Sequence, residues 1–118
     1  MPGSGGSAGF PPRIPPMLAV PAGELPEPGA LWAAEFKWDG VRAVAYLSAG
    51  RLRLLSRSDR DMTRSYPELA DLARQSGTQD MVLDGEITAF DGGRPSFAAL
   101  QRRMHVGAPS ARLVTASR

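Results

Sequence analysis

Apolar and polar positions change texture three times along the chain. Residues 1 to 30 are dense in Gly and Pro and read as an extended leader without its own core; its start, Gly3-Ser4-Gly5-Gly6-Ser7, resembles a flexible linker. Within it, Pro15-Pro16-Met17-Leu18-Ala19-Val20 offers apolar side chains that can lie along a folded body. From Leu31 short apolar runs begin: Ala33 to Lys37 as a strand, Val41 to Leu47 with weak alternation, and Leu52 to Leu55. Ser48-Ala49-Gly50 between the last two fits a hairpin loop. Tyr66 to Gln75 places Leu69, Leu72 and Ala73 at helical spacing behind Pro67, which suits an early helix position. Val82 to Phe90 reads as a strand interrupted by Gly85, and Asp91-Gly92-Gly93 as a turn. Ser96 is placed to cap a helix carrying Phe97, Leu100 and Met104 on one side. The tail from His105 has no strong pattern before Leu113-Val114. Short strands with two interspersed helices argue an α+β fold of antiparallel strands and two short helices. The organisation expected is a leader over 1–30 and a folded part over 31–118.

Composition narrows the class. With 118 residues and 42% hydrophobic positions the chain suits one small domain or a part of a larger one. There is no cysteine, so neither a disulfide framework nor a thiolate metal site is available. No apolar run approaches membrane-spanning length, and the first nine residues carry no basic group of a secretory signal. The net charge is only +2, yet of 14 basic residues Lys37 is the one lysine and the rest are arginine. Arginine richness beside Ala, Gly and Pro has a plain source in GC-rich coding. Against that bias a retained lysine raises the question of amine chemistry, because an amine can lose its proton and attack where guanidinium stays protonated.

The chemistry-bearing residues cluster around that lysine. In Glu35-Phe36-Lys37-Trp38-Asp39-Gly40-Val41-Arg42 two carboxylates, an amine, a glycine and an arginine crowd one turn. If extension continues, Glu35, Lys37 and Asp39 share a face. Gly40 permits close backbone approach, and Arg42 offers a planar fork for phosphate. Taken alone, such a cluster more often marks a hairpin with a solvated charged face. Leu55-Ser56-Arg57-Ser58 then ends one apolar run with an arginine, and Leu83-Asp84-Gly85-Glu86-Ile87 sets two carboxylates inside another. Carboxylates in an apolar strand need partners, unless that strand is exposed. Arg51, Arg53, Arg57, Arg60 and Arg64 suit a nucleic-acid backbone or a solvated surface. His105, the single histidine, reads as a surface or packing residue.

Three segments in order resemble a known family. Lys37-Trp38-Asp39-Gly40-Val41-Arg42 is similar to motif I (K-x-D-G-x-R) of the covalent nucleotidyltransferases, Ser56-Arg57 to motif Ia, and Asp84-Gly85-Glu86 to motif III. The flanks Asp61 to Leu69 and Pro95 to Arg103, and Pro16-Met17-Leu18-Ala19, resemble bacterial ATP-dependent DNA ligases of the end-joining repair type, from about residue 12 onward. The resemblance implies part of a nucleotidyltransferase (ATP-grasp-like) adenylation domain. It implies ATP with Mg²⁺, or Mn²⁺, as cofactors. The implied partners are nicked duplex DNA and end-joining repair proteins rather than a membrane, and the implied location is the bacterial cytoplasm, at the nucleoid.

By the same resemblance Lys37 attacks the α-phosphate and holds AMP, Glu35 recognises the adenine edge, and Glu86 binds the ribose hydroxyls. Arg42 and Arg57 handle phosphates and ribose. Asp39, Gly40, Asp84 and Gly85 support the motifs, and none of these residues is expected to bind a metal. One nucleotide touching both Lys37 and Glu86 implies neighbouring antiparallel strands around them, facing one groove on the order of 10 Å across.

The sequence departs from the family in two ways. The usual Arg-Asn-Gly of motif Ia is Arg57-Ser58-Asp59 here. The later motifs, including one with a second lysine, are not found, so a truncated piece, inactive alone or limited to self-adenylation, is expected. The residues also accommodate a non-catalytic nucleic-acid-binding remnant, or an RNA ligase or capping-type nucleotidyltransferase.

Overall fold

A computed structural model describes residues 9–27, 29, 31–110 and 114. The Gly/Ser start of the leader and Leu113 lie outside the described residues. Val114 N–H donates to Ser110 O at 3.0 Å.

The centre is a three-stranded antiparallel sheet in the order β2-β1-β3. Strand β1 is Val41–Ser48, β2 is Arg51–Ser56 and β3 is Met81–Ile87. Ala49 and Gly50 join β1 to β2 with φ of 51° and 74°. Positive φ at both central residues lets a two-residue turn follow the strand twist, and glycine accepts it without a Cβ penalty. Pairing runs Ala45↔Leu54 and Leu47↔Leu52 on one side, Arg42↔Glu86 and Val44↔Asp84 on the other.

Weak alternation in β1 has its cause here, because the strand is central and buried on both faces from Ala43 to Ser48. One face, with Ala45 and Leu54, packs on Tyr66, Ala89, Ala99 and Leu100. The other, with Val44, Tyr46 and Leu55, meets Phe10 and Val82. The segment around Phe10 carries no helix or strand, yet it lies against the sheet: Ile14 N–H donates to Tyr46 Oη at 2.8 Å and that hydroxyl sits 3.3 Å from Ile14 O. The packing and hydrogen bonds to the sheet fall at residues 9–14; in the Pro15–Val20 run Met17 and Val20 are exposed, while Met17, Leu18 and Ala19 border a depression with Arg42 and Glu86.

After β2, a 3₁₀ turn at Thr63–Ser65 and another at Pro67–Ala70 lead into helix α1, Asp71–Ser76. The expected single helix over Tyr66–Gln75 is therefore 3₁₀ in its first turn, with Pro67 at the start. Gly85 does not interrupt β3; it pairs with Ala43, and the strand ends at Ile87. Phe90–Asp91 (β4) and Arg94–Pro95 (β5) form a small hairpin across Gly92 and Gly93, both at positive φ. Ser96 Oγ then accepts the Ala99 N–H at 3.1 Å and caps α2, Phe97–Gln101, whose Leu100 enters the core.

The expected strand over Ala33–Lys37 is not formed; the segment is exposed coil. A strand needs a neighbour to take up its backbone groups. Both edges of β1 are already occupied by β2 and β3, and no described strand pairs with 33–37.

One buried ion pair was not legible in the sequence. Arg103, with a side chain only 3% exposed, meets Glu68 through Nη1 and Nη2, each at 2.7 Å. Its Nη2 also donates to Ser65 O, and its guanidinium lies 5.1 Å from the Tyr66 ring centre. The cluster ties the residues just after α2 to the 3₁₀ turns.

Candidate functional site

The site residues reach the same end of the sheet by different routes. Arg42 and Glu86 are direct cross-strand partners at the open ends of β1 and β3. Alternate residues share a face, so Asp84 lies diagonally from Arg42 on the side that carries Val44 and Tyr46. Arg42 Nε and Nη2 donate to the two Asp84 carboxylate oxygens, each at 2.6 Å. This two-point bond holds the Asp84 carboxyl below the usual carboxylate range and raises the Arg42 guanidinium above its ordinary value. Asp84 is thus paired and also half-exposed, in a stretch of β3 that is exposed from Leu83 to Glu86.

Gly40 is required by close approach. A Cβ there would stand 2.1 Å from the Ile87 carbonyl oxygen, so only glycine lets the chain cross the end of β3 as it enters β1. Gly85 has open space where a Cβ would go, so packing does not explain it.

Before that crossing, the exposed segment holds Glu35 and Lys37 above the sheet end. Both line an open depression of about 780 Å³ together with Arg42, Asp84, Gly85 and Glu86. Asp39 follows in an exposed bend. Phe36 and Trp38 face each other at 6.4 Å between ring centres and are also exposed. Lys37 and Glu86 thus border one depression, although the neighbour of Glu86 is β1 itself and not a strand carrying Lys37.

Arg57 belongs to a second depression, of about 490 Å³, that shares Arg42 and Glu86 with the first. Its floor includes Val41, Met62 and Tyr66, and its rim Ser56, Ser58 and Arg60. The turn that carries Arg57 keeps a tight form despite its unusual sequence. Asp59 N–H donates to Ser56 O at 2.9 Å, and Asp59 takes φ of 66° where the motif usually has glycine. Aspartate is among the side chains that tolerate this region. Arg60 and His105 border the second depression, and both are exposed.

An amine, two guanidinium groups and a carboxylate around adjoining hollows suit a nucleotide: the cations donate to phosphates, and the carboxylate accepts from ribose hydroxyls. A metal fits less well. Among the described residues no three His, Asp or Glu side chains converge, and Asp84 is already held by Arg42.

Comparisons with known proteins show the family. Residues 16–115 match the family model described as ATP dependent DNA ligase domain. The chain is 42% identical over 92 residues to the multifunctional non-homologous end joining DNA repair protein LigD of Mycobacterium tuberculosis. That match covers 77% of this chain and 12% of LigD. It is 40% identical over 105 residues to the LigD protein of Pseudomonas aeruginosa, covering 88% of this chain and 12% of that one. Among solved structures, the ligase domain of M. tuberculosis LigD superposes with a TM-score of 0.54 at 42% identity, over 62% of this chain and 25% of that domain. A mycobacterial DNA ligase D complexed with ATP and MES gives 0.55 at 41%, over 63% and 25%. The chain thus spans about an eighth of the LigD proteins it matches. The α+β arrangement of antiparallel strands and short helices is that of the LigD ligase domain. With its residues matched nearly end to end and 42% identity to a repair ligase, this chain belongs to the ATP-dependent DNA ligase domain family.

Proposed function

We propose that this chain is the lysine-bearing part of a DNA-sealing enzyme that works through a lysyl-AMP intermediate. The observation that carries the reading is the meeting of Lys37, Arg42 and Glu86 around one depression in a chain of this family. In it the Lys37 amine, once deprotonated, attacks the α-phosphate of ATP. A P–N bond forms, the bond to the bridging oxygen breaks, and pyrophosphate leaves. Glu86 holds the ribose hydroxyls, Glu35 reads the adenine edge, and Arg42 and Arg57 meet phosphate and ribose. Asp39, Gly40, Asp84 and Gly85 shape the motifs around them, Gly40 through the close approach to Ile87 and Asp84 through its bond to Arg42. Mg²⁺, or Mn²⁺, accompanying ATP neutralises phosphate charge; these residues contribute position and hydrogen bonds.

The substrate class proposed is nicked duplex DNA, with end-joining repair proteins as partners, in keeping with the names of the relatives. Such work places the protein in the bacterial cytoplasm, at the nucleoid. Among the described residues no helix is long and apolar enough to cross a membrane.

These 118 residues alone are expected to be inactive or limited to self-adenylation. They hold one lysine, and among the described residues no strand pairs with the Lys37 segment to stiffen it. Nick sealing depends on contacts to the transition state, and missing ones cost rate steeply. Intact-mass measurement after incubation with ATP and Mg²⁺ tests the reading: one added AMP, mapped to Lys37 and absent in Lys37→Arg. An adduct that persists in Lys37→Arg overturns the nucleophile.

A second reading, a nucleic-acid-binding piece without nucleotide chemistry, is favoured by one observation. Among the described residues Arg57, Arg60 and Arg64 make no ion pair and are exposed along one segment. DNA binding that falls sharply with salt, is unchanged in Lys37→Ala and comes with no AMP adduct would select it.

A further inference from the structure

The turn that carries Arg57 is held by its own backbone on one side and by the N-terminal segment on the other. Ser56 N–H donates to Arg60 O at 2.9 Å, and Ser56 Oγ accepts from Arg60 N–H at 3.0 Å and Ser58 N–H at 3.3 Å. None of these bonds uses the Asp59 side chain, although Asp59 is the residue in the strained left-handed region. Its carboxylate is met from outside the turn by Arg13 Nε.

Arg13 is itself fixed. The next residue, Ile14, is bonded through its backbone to the hydroxyl of Tyr46, which is 2% exposed in the middle of β1. Upstream, Phe10 packs with Val44 and Leu55 and lies 5.0 Å beneath the Arg51 guanidinium. Ser48 Oγ donates to Gly9 O at 3.4 Å. Residues 9–14 therefore cross the sheet from the β1–β2 hairpin to the Arg57 turn and are tied down along the way.

We infer that this segment is a clamp for the Arg57 turn, with Arg13 and Asp59 as positioning residues for Arg57. A glycine at position 59 would accept its backbone geometry without strain but could not be held from the side. Aspartate accepts a small backbone cost, and its carboxylate gives the clamp something to grip. The turn then has fewer arrangements to lose when Arg57 meets a phosphate, which is how an ordered loop gains affinity. What Arg57 contacts rests on the function proposed above; how the turn is held does not.

The test is amide hydrogen exchange on the full 118-residue chain, beside binding to a nicked duplex at low salt. Arg13→Ala should speed exchange at Ser58, Asp59 and Arg60 about two- to fivefold, the range open to an exposed ion pair. Exchange at Ala45 and Leu54 should not change, and Arg13→Lys should recover part of the protection. Unchanged exchange in the turn, or acceleration spread equally over the core, overturns the clamp. In binding, Arg13→Ala should weaken the complex in the wild-type background and have no effect in Arg57→Ala. An additive loss in the double variant overturns the positioning of Arg57. If Arg57→Ala binds as tightly as wild type while the turn amides still respond to Arg13, the clamp stands and the assignment of Arg57 to phosphate falls.

Discussion

Arg42 and Asp84 face each other one diagonal step apart on neighbouring strands and close a two-point ion pair at 2.6 Å on the same face as Glu86. Sheet register alone brings them together, since 42 positions separate them in the chain. The bond holds Arg42 beside Glu86 rather than free to swing.

The pair sets a pH response. Asp84 titrates below its ordinary range because Arg42 hydrogen-bonds its charged form. A depressed carboxylate stabilises the fold above its unfolded pKa of about 4, and this is lost as pH falls through the lower, folded value. The pair is exposed, so solvent limits its worth to that of a surface ion pair. Urea unfolding should show Asp84→Asn slightly less stable than wild type at pH 7, with the difference shrinking as pH falls below the unfolded value of about 4. A difference that grows on acidification would contradict the assigned sign.

Gly40→Ala should be costly for its size. The added carbon would meet the Ile87 carbonyl at 2.1 Å, and backbone must move to admit it. A loss of about 1–3 kcal/mol is expected in urea unfolding, against a small effect for Gly85→Ala, where the space is open. Equal losses at both positions would remove the close-approach explanation.

Glu68→Ala should be among the most damaging changes remote from the site. It leaves the Arg103 guanidinium buried without its carboxylate, at a cost of about 3–5 kcal/mol. Replacing both partners together, Glu68→Leu with Arg103→Met, should cost less than Glu68→Ala, because no buried charge is stranded. Thermal melts of the two variants decide it.

For the proposed chemistry, Glu86→Ala should slow AMP transfer to Lys37 by about tenfold or more through lost ribose positioning. A rate of adduct formation in intact-mass time courses equal to wild type would release Glu86 from that role.

What could be read from the sequence was the set of landmarks: Lys37 to Arg42, Ser56-Arg57, and Asp84 to Glu86, together with the hairpin at Ala49-Gly50 and the Ser96 cap. These are local patterns, and local backbone preferences carry them. What could not be read depends on partners far along the chain. The bond from Arg42 to Asp84 needs the register of β1 against β3, and the burial of Arg103 needs Glu68, 35 positions away. The Ala33–Lys37 run has strand-like composition, but whether a strand forms depends on a neighbouring edge, which composition does not reveal. Asp59 in place of the usual glycine put the motif Ia turn in question; the turn keeps its backbone bonds with Asp59 at positive φ, and the Asp59 carboxylate meets Arg13, inside a segment that reads as a leader.

The double burial of β1 also bears on how this molecule can be re-engineered. From Ala43 to Ser48 every side chain is enclosed, with one face in the main core and the other beneath the N-terminal segment. A change anywhere in that stretch disturbs packing before it can alter the chemistry at the strand's open end, so it is a poor place to search for new selectivity. The exposed run from Leu31 to Asp39 carries no such penalty. Libraries aimed at the choice of nucleotide or nucleic acid should therefore be drawn from that segment, with β1 kept constant as the spine it is mounted on.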